Sequence, residues 1–166
     1  FYILHFNFSM LLCKINPLKP DKRIINGAAE LLKKGGAVVF PTETAYGLAA
    51  DFLNPQAVKK IFQIKHRPED KKLTLIASDI KMVKKYFCLN QLESKLAKIY
   101  WPGPLTLILK IKNIPSFYKG GRGRIYKSPS IPLLQRGRIG IRVSSNPIAR
   151  KICQKLGRPI TATSAN

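Results

Sequence analysis

Predicted β-strands and α-helices alternate along most of this chain, and that alternation restricts the fold more than any other sequence feature. Short apolar runs typical of buried strands are separated by segments of about ten to fifteen residues whose apolar side chains recur at helical spacing. Two of the helices are expected to begin at Asn-Pro pairs, Asn54-Pro55 and Asn146-Pro147, where asparagine caps the first turn and proline takes the first helical position. The pattern predicts a layered α/β domain.

The element boundaries follow from caps, glycines and prolines. Asp21 is expected to cap the first helix, Gly35-Gly36 to end it, and Ser78-Asp79 to cap the third. A polar turn is predicted at 42–47. We predict helices at 21–34, 54–64, 79–87, 91–100 and 146–157, and strands at 37–40, 48–51, 73–77, 105–111, 139–143 and 159–164.

The composition fits one folded domain with a large excess of positive charge. Its 166 residues include 45% hydrophobic and 23% charged residues, close to globular averages. Lys and Arg number 30 against 8 Asp and Glu, which gives a net charge of +22. Such a surface attracts phosphate groups at long range, so it indicates a polyanionic partner or substrate, without separating RNA from a nucleotide.

The start of the chain is apolar but fits neither a membrane span nor a secretion signal. The run at 1–12 is too short to cross a bilayer, no Lys or Arg precedes it, and no small-residue cleavage site follows. We therefore expect a cytoplasmic protein without membrane association. Residues 1–19 are interpreted as an N-terminal extension, with Met10 as the expected natural start, and 20–166 as the folded domain.

The cysteines are spaced too far apart for a metal or disulfide framework. Cys13, Cys88 and Cys153 form no Cys-x-x-Cys pair. We predict three buried free thiols, the usual state in a reducing cytosol.

The segment 116–138 interrupts the alternation of strands and helices. It carries six Lys or Arg residues, no acid, four glycines and two prolines, and shows neither helical nor strand periodicity. A structureless loop of this length is uncommon in a compact domain unless it is functional or disordered. Contact with RNA is one interpretation. An insertion tolerated at a surface turn is the interpretation that we favour.

A second basic segment lies between a predicted helix and a predicted strand. Its cations are Lys65, Arg67, Lys71 and Lys72, and Pro68 prevents the preceding helix from continuing through them. Cations held on a loop by a rigid scaffold suit an anionic ligand such as a nucleotide phosphate. A solvated basic turn is the alternative, and the charge run taken alone favours it.

Standard catalytic and phosphate-binding motifs are missing. No Gly-x-Ser-x-Gly elbow occurs, no Walker-type or Gly-x-Gly-x-x-Gly loop follows a strand, and His5 and His66 are the only histidines. Phosphate chemistry would therefore need side-chain cations together with hydroxyl and amide donors. Ser164 and Asn166, at the end of the last predicted strand, supply such donors.

Several short motifs, taken in order, resemble the YrdC-like family of threonylcarbamoyl-adenylate synthases. They are Pro41-Thr42-Glu43-Thr44-Ala45-Tyr46-Gly47-Leu48, Lys65-x-Arg67-Pro68, Trp101-Pro102-Gly103-Pro104-Leu105-Thr106, Arg142 and Thr163-Ser164-Ala165-Asn166. The resemblance extends from about Asp21 to Asn166 and is interrupted by the basic loop at 116–138.

The resemblance implies a fold and a reaction. The fold is a twisted mixed sheet with flanking helices around a positively charged groove. The reaction joins L-threonine, bicarbonate or CO2 and ATP into L-threonylcarbamoyl-AMP and releases pyrophosphate, with Mg²⁺ accompanying ATP. A partner in the tRNA threonylcarbamoyl-transferase machinery would then modify the adenosine next to the anticodon.

The resemblance also implies roles for individual residues. The catalytic residues would be Lys65 and Arg67. The set expected to bind the nucleotide is Lys65, Arg67, Lys71, Arg142, Ser164 and Asn166, the set expected to bind threonine or the intermediate is Thr42, Tyr46 and Thr106, and no metal ligand is implied. Carbamylated threonine is itself the attacking anion and its target is the α-phosphate, so preorganised cations should supply most of the catalysis.

Simpler interpretations of the same residues remain open. Thr42 could cap a turn, Tyr46 could be a half-buried aromatic, and Arg142 could be a surface cation on a strand. Thr106 could be an ordinary strand residue. The segment 101–104 is expected to be architectural, because it ends a helix and directs the next strand.

Two departures from the family pattern bear on function. The chain stops at Asn166 where relatives continue, which suggests C-terminal truncation, and the insertion at 116–138 falls just before the strand that carries Arg142. A smaller difference is Lys72, which stands where many relatives carry proline.

Two alternative functions remain. The net charge of +22 suggests a protein that binds tRNA or double-stranded RNA without catalysis. The other is the carbamoyl-transfer domain of a hydrogenase maturation protein, although the zinc-binding spacing of those longer chains is missing here.

Overall fold

A computed structural model describes residues 2–4, 10–66, 68, 73–112 and 137–165. Its helices are α1 (Lys22–Lys33), α2 (Pro55–Ile64), α3 (Ile80–Tyr86), α4 (Gln91–Tyr100) and α5 (Pro147–Leu156). Its strands are β1 (Tyr2–Leu4), β2 (Met10–Leu12), β3 (Val38–Pro41), β4 (Tyr46–Ala49), β5 (Thr74–Ala77), β6 (Phe87–Cys88), β7 (Leu107–Ile111), β8 (Arg138–Val143) and β9 (Ile160–Ser164).

Each of the five helices in the described part of the chain begins at a side chain that accepts a hydrogen bond from a backbone amide of the first turn. The caps are Asp21, Asn54, Asp79, Asn90 and Asn146. Asn90 forms a capping box with Glu93 that was not among the predicted signals. A cap of this kind stabilises a helix by roughly 1 kcal/mol, so these side chains set the start of each helix locally.

The seven strands β3 to β9 form one mixed sheet, with spatial order β3-β4-β9-β5-β8-β7-β6. Only β5 and β8 are parallel, with Ile76 opposite Arg142, and the other neighbours are antiparallel. Strands β1 and β2 pair separately as a two-stranded antiparallel sheet. The predicted α/β class and the mixed sheet that the resemblance implied are both confirmed.

Helices cover the two faces of the sheet unequally. On one face, α2, α3 and α4 pack on strands from β4 across to β7, and residues such as Ile61, Leu75 and Ile141 are fully buried. On the other face, α1 and α5 pack over β3, β4, β9 and β5, where Ile76 and Ile160 are buried.

On this second face, the five described helices do not cover β7 and β8. Ile108 pairs with Gly140 there and remains 61% exposed, and Arg138 is exposed at the start of β8. We call this part of the sheet, with Ile108, Gly140 and Arg142, the open face.

Several boundaries differ from the predictions. Pro41 does not stop β3 but pairs with Tyr46, so the turn is shortened to 42–45 and β4 starts earlier. Arg138 belongs to β8 and not to the basic loop, because it pairs with Lys110 of β7. Gly137 forms a turn before β8, and the rest of the predicted loop, 116–136, lies outside the described residues. The short strands β1, β2 and β6 were not predicted.

The cysteine prediction is wrong for two of the three residues. Cys153 is buried in α5, but Cys88 is exposed on β6 and Cys13 is only partly buried. The two-residue strand β6 pairs only with β7, at the edge of the sheet, which leaves Cys88 in solvent. In the described residues, no helix has both the length and the apolar character needed to cross a membrane.

Candidate active site

The turn between β3 and β4 is held together by the hydroxyl of Thr42. Its Oγ1 donates to the carbonyl of Ala45 at 2.6 Å and accepts from the amides of Thr44 and Ala45, each at 3.2 Å. The turn-capping role that competed with ligand binding is therefore present. A contact between Thr42 and threonine stays a prediction, and the fixed turn would preorganise it.

The same turn reaches β8 through a carboxylate that the prediction did not include. Glu43 Oε1 lies 3.1 Å from Arg142 Nη1, and Glu43 Oε2 accepts a short hydrogen bond from Ser144 Oγ. Thr44 Oγ1 lies 3.5 Å from Arg142 Nη2. Arg142 is therefore not a plain surface cation, since its side chain is only 16% exposed.

Three small residues, one glycine and two threonines, lie next to one another on the open face. Gly140 on β8 lies between Thr74 of β5 and Thr106, and a Cβ at Gly140 would come within 3.2 Å of the Cγ2 of each threonine. Thr74 Oγ1 donates to the carbonyl of Ala162 at 2.7 Å, which ties β5 to β9. Thr106 is exposed beside Gly140, and its contact with threonine or the intermediate stays a prediction.

The segment before Thr106 fixes where β7 begins. Trp101 Nε1 donates to the carbonyl of Leu105 at 2.7 Å, and Gly103 N donates to the carbonyl of Val143 at 2.8 Å. A Cβ at Gly103 would lie 2.4 Å from the carbonyl oxygen of Tyr100, so only glycine fits. These contacts agree with the architectural role expected for this motif.

Pairing of β4 with β9 brings Tyr46, at the start of β4, close to Ser164, at the end of β9. Gly47 lies opposite Ser164, and the amide of Ala165 donates to the carbonyl of Tyr46 at 2.9 Å. A Cβ at Gly47 would lie 2.8 Å from Phe40 Cζ, so the motif glycine is needed for packing. Tyr46 is 43% exposed and Ser164 is exposed.

Lys65 ends α2 and begins the basic segment. Its amide donates to the carbonyl of Ile61 at 3.1 Å, and its side chain is partly buried. Thr74, the first residue of β5, pairs with Ala162, two residues before Ser164 at the end of β9. Arg67, Lys71, Lys72 and Asn166 lie outside the described residues, and their predicted roles stay predictions.

The described acids are all engaged in helix caps or ion pairs. Glu69 and Asp70 lie outside the described residues; the other acids are Asp21, Glu30, Glu43, Asp51, Asp79 and Glu93. Asp21, Asp79 and Glu93 take part in helix caps, and Glu30 forms an ion pair with Lys33 in α1. Asp51 contacts Arg158 at 2.6 Å, and Glu43 contacts Arg142. Little negative charge is therefore left in this part of the chain to offset its cations.

Among the described residues, no cluster of three or more His, Cys, Asp or Glu side chains could hold a metal ion. Glu43 is the one carboxylate seen at the site, and its oxygens face Arg142 and Ser144. This donor set does not fit a protein-held Mg²⁺, which prefers carboxylate oxygens and retained waters.

These contacts place an arginine, two threonines and a glycine on the open face of a mixed sheet in an α/β domain. The chain belongs to the Sua5/YciO/YrdC family, because the family model with the description "Telomere recombination" matches residues 30–166.

Known relatives include both a named enzyme and a protein without an assigned activity. The chain is 34% identical over 147 residues to a threonylcarbamoyl-AMP synthase of Aliivibrio fischeri, covering 86% of this chain and 71% of the relative. It is also 34% identical to the protein YciO of Escherichia coli, described as uncharacterized, covering 90% of this chain and 67% of the relative.

Solved structures share the fold. P. abyssi Sua5 complexed with L-threonine has a TM-score of 0.72 at 34% identity, over 89% of this chain and 40% of that chain. Full-length HypF in a phosphate- and nucleotide-bound form has a TM-score of 0.66 at 25% identity, over 86% of this chain and 20% of that chain. The chain thus spans about two fifths of the length of that Sua5 protein.

Proposed function

We propose that this protein synthesises L-threonylcarbamoyl-AMP from L-threonine, bicarbonate or CO2 and ATP, with release of pyrophosphate. The proposal rests mainly on one observation: motif residues distant in sequence meet at the open face, where Glu43 of the β3–β4 turn forms an ion pair with Arg142 of β8. The relatives named threonylcarbamoyl-AMP synthase and the Sua5 structure complexed with L-threonine support the substrate class.

The chemistry needs cations more than a protein nucleophile. Bicarbonate and the amine of threonine first give a carbamate and water. A carbamate oxygen then attacks the α-phosphorus of ATP, a new P–O bond forms, and the bond to pyrophosphate breaks. Because one anion must approach another, fixed positive charge near the α-phosphate lowers the barrier.

Different residues of the chain would bind the phosphates, the nucleotide and threonine. Lys65 and Arg67 would contact the phosphates across which charge moves, and Arg67 could bind two oxygens at once. Arg142 and Ser164 would hold the nucleotide, with Lys71 and Asn166 as further contacts. Thr42, Tyr46 and Thr106 would hold threonine or the intermediate.

Mg²⁺ would arrive with the triphosphate as part of the substrate, because the described residues offer no donor set for it. In a cytoplasmic setting the product would pass to a tRNA threonylcarbamoyl-transferase.

The direct test is synthesis by the purified, folded protein. Labelled threonine, bicarbonate and Mg-ATP should give threonylcarbamoyl-AMP, detected by mass, together with an equal amount of pyrophosphate. Reactions without threonine or without bicarbonate serve as controls and should release no pyrophosphate. A folded protein that yields neither product under these conditions would reject the proposal.

Two other functions give different results in the same assay. A likeness to HypF favours a carbamoyl-transfer domain, for which pyrophosphate release would not depend on threonine. The net charge of +22 favours a protein that binds tRNA or double-stranded RNA without catalysis. That function predicts RNA affinity that falls steeply with salt and no threonine-dependent chemistry.

A further inference from the structure

We propose that Glu43 is a positioning residue that aims Arg142 at the nucleotide. The inference rests on the proposed function, and it concerns a residue that supports the site without touching substrate. Glu43 lies between Thr42 and Thr44 in the β3–β4 turn and connects that turn to β8 and to the start of α5.

The ion pair between Glu43 and Arg142 is shielded from solvent. The two side chains are 15% and 16% exposed, and Glu43 Oε1 is 3.1 Å from Arg142 Nη1. Exposed ion pairs contribute little because water competes with them. A shielded pair behaves differently, since removal of one partner leaves an uncompensated charge away from water.

The contacts of Arg142 leave part of its guanidinium for a ligand. Nη1 faces Glu43, and Nη2 lies 3.5 Å from Thr44 Oγ1, which is a weak contact at most. Among the described residues these are its side-chain partners. A guanidinium has further N–H donors in one plane, so fixing one end of the group orients the others.

Ser144 links the carboxylate to a rigid element. Its side chain is fully buried, its hydroxyl donates to Glu43 Oε2, and its oxygen accepts from the amide of Asn146 at 3.1 Å. Asn146 in turn caps α5 by accepting from the amide of Ile148 at 2.9 Å. The Ser144 contact therefore holds the carboxylate at the start of α5, while the other carboxylate oxygen, Oε1, has no hydrogen-bond partner among the described residues and forms the ion pair with Arg142.

Loss of the charge on Glu43 should therefore weaken nucleotide binding more than threonine binding. Glu43→Gln keeps the size of the side chain and its contact with Ser144, but it no longer neutralises the positive charge of Arg142. We expect the KM for ATP to rise about ten-fold, and the KM for threonine to change by no more than about three-fold.

A double-mutant cycle separates positioning from a general structural role. Glu43→Gln and Arg142→Ala should each lower kcat/KM for ATP by about ten-fold or more, and the double variant should be no worse than Arg142→Ala by more than about two-fold. Ser144→Ala is a milder second variant, expected to raise the KM for ATP about two- to five-fold. Independent, multiplicative losses in the cycle would overturn the inference.

Asp51→Asn is the matched control, because Asp51 also forms a shielded ion pair, with Arg158 at 2.6 Å. It should lower the melting temperature while the KM for ATP stays within about two-fold of wild type. An equal rise in KM for this control would show that the effect of Glu43→Gln comes from lost stability, and would reject the positioning role.

Direct binding of Mg-ATP by calorimetry separates this inference from the proposed function. If the wild type binds Mg-ATP but makes no threonylcarbamoyl-AMP, the proposed function fails, and weaker ATP binding by Glu43→Gln still supports the positioning role. ATP affinity unchanged by Glu43→Gln rejects the positioning role even if synthesis is observed. A wild type that does not bind Mg-ATP rejects both.

Discussion

Thr74 on β5 lies directly beside Gly140 on β8, and a Cβ at Gly140 would come within 3.2 Å of the Thr74 methyl group. Thr106 approaches the same point from the other side, also at 3.2 Å. The absence of a side chain at Gly140 therefore lets the two threonines approach β8 closely at this point of the open face, two residues before Arg142.

Crowding this point should lower both activity and stability. Gly140→Val forces a branched side chain against the two threonines, and we expect kcat/KM to fall at least about ten-fold and the free energy of unfolding to fall by about 1–3 kcal/mol. Steady-state kinetics with ATP and threonine, together with thermal unfolding, measure the two effects. Activity within two-fold of wild type would contradict a ligand site at this position.

Gly27→Ala in α1 is the control for that substitution. It is exposed, and a Cβ there meets nothing within 4 Å. Because alanine is the better helix former, stability should rise by about 0.5–1 kcal/mol, with activity unchanged.

The basic segment after α2 should contribute charge to the transition state through two particular residues. Lys65→Ala or Arg67→Ala should lower turnover at least about ten-fold, as loss of a contact to developing charge does. The measurement is the rate of threonine-dependent pyrophosphate release at saturating ATP. Lys72→Ala removes the same charge from the same segment and should leave turnover within about two-fold, so equal losses in all three variants would indicate only a general electrostatic effect.

Asp79 should make part of the stability depend on pH. Burial alone would raise the pKa of this carboxyl, but hydrogen bonds from the amide of Met82 and the hydroxyl of Ser78, each 2.8 Å long, outweigh it and lower the pKa below its usual range. A lowered pKa in the folded state means that the ionised cap stabilises the fold above the unfolded-state pKa, and that this contribution is lost as the pH falls through the folded pKa.

Urea unfolding of the wild type and Asp79→Ala at two pH values tests this. At pH 7 the variant should lose about 1 kcal/mol of unfolding free energy, and the difference should shrink toward pH 3 and below. Asn54→Ala removes a cap without an ionisable group, from a side chain that accepts from Ala57 at 3.1 Å. Its cost should be the same at both pH values, and a pH-independent cost for Asp79→Ala would contradict the prediction.

The cysteines should differ in reactivity according to their burial. Burial raises the pKa of the Cys153 thiol, and its Sγ donates to the carbonyl of Ile76 at 3.4 Å, so it should react only on unfolding. Cys88 is exposed and should react readily with a thiol reagent. In the double variant Cys13→Ser/Cys88→Ser, labelling should vanish under native conditions and return in guanidinium chloride, whereas fast native labelling would contradict the burial of Cys153.

The element types were predictable because their signals are local. The predicted caps at Asp21, Asn54, Asp79 and Asn146 are all present, and α5 ends at Gly157 with φ 78°, in the left-handed region that glycine adopts readily. The boundary at Pro41 was missed because strand pairing with Tyr46 overrode the usual effect of proline. Proline is tolerated there because β3 is an edge strand of the seven-stranded sheet.

The candidate site was predictable only as a set of residues. Motif order indicated Thr42, Tyr46, Thr106, Arg142 and Ser164, and the fold shows which of them are neighbours. Glu43 lies within the motif at 41–48. It is one of only 8 acids in a chain with 30 Lys and Arg, and this scarcity of acids is the sequence signal that distinguishes it. Its partner Arg142 could not be predicted from the sequence, because Arg142 lies on β8, and β9 and β5 separate β8 from β4 in the sheet.

The sequence by itself determined the α/β class, the capped helices, the positive charge and the family resemblance, because each depends on residue identity or on contacts within a few positions. The tertiary structure decided which strands are neighbours, including the parallel pair β5–β8, and which face of β7 and β8 the five described helices leave open. It also placed Glu43 against Arg142 and Ser144. Such contacts join distant residues and depend on how the whole sheet packs, so no local pattern specifies them.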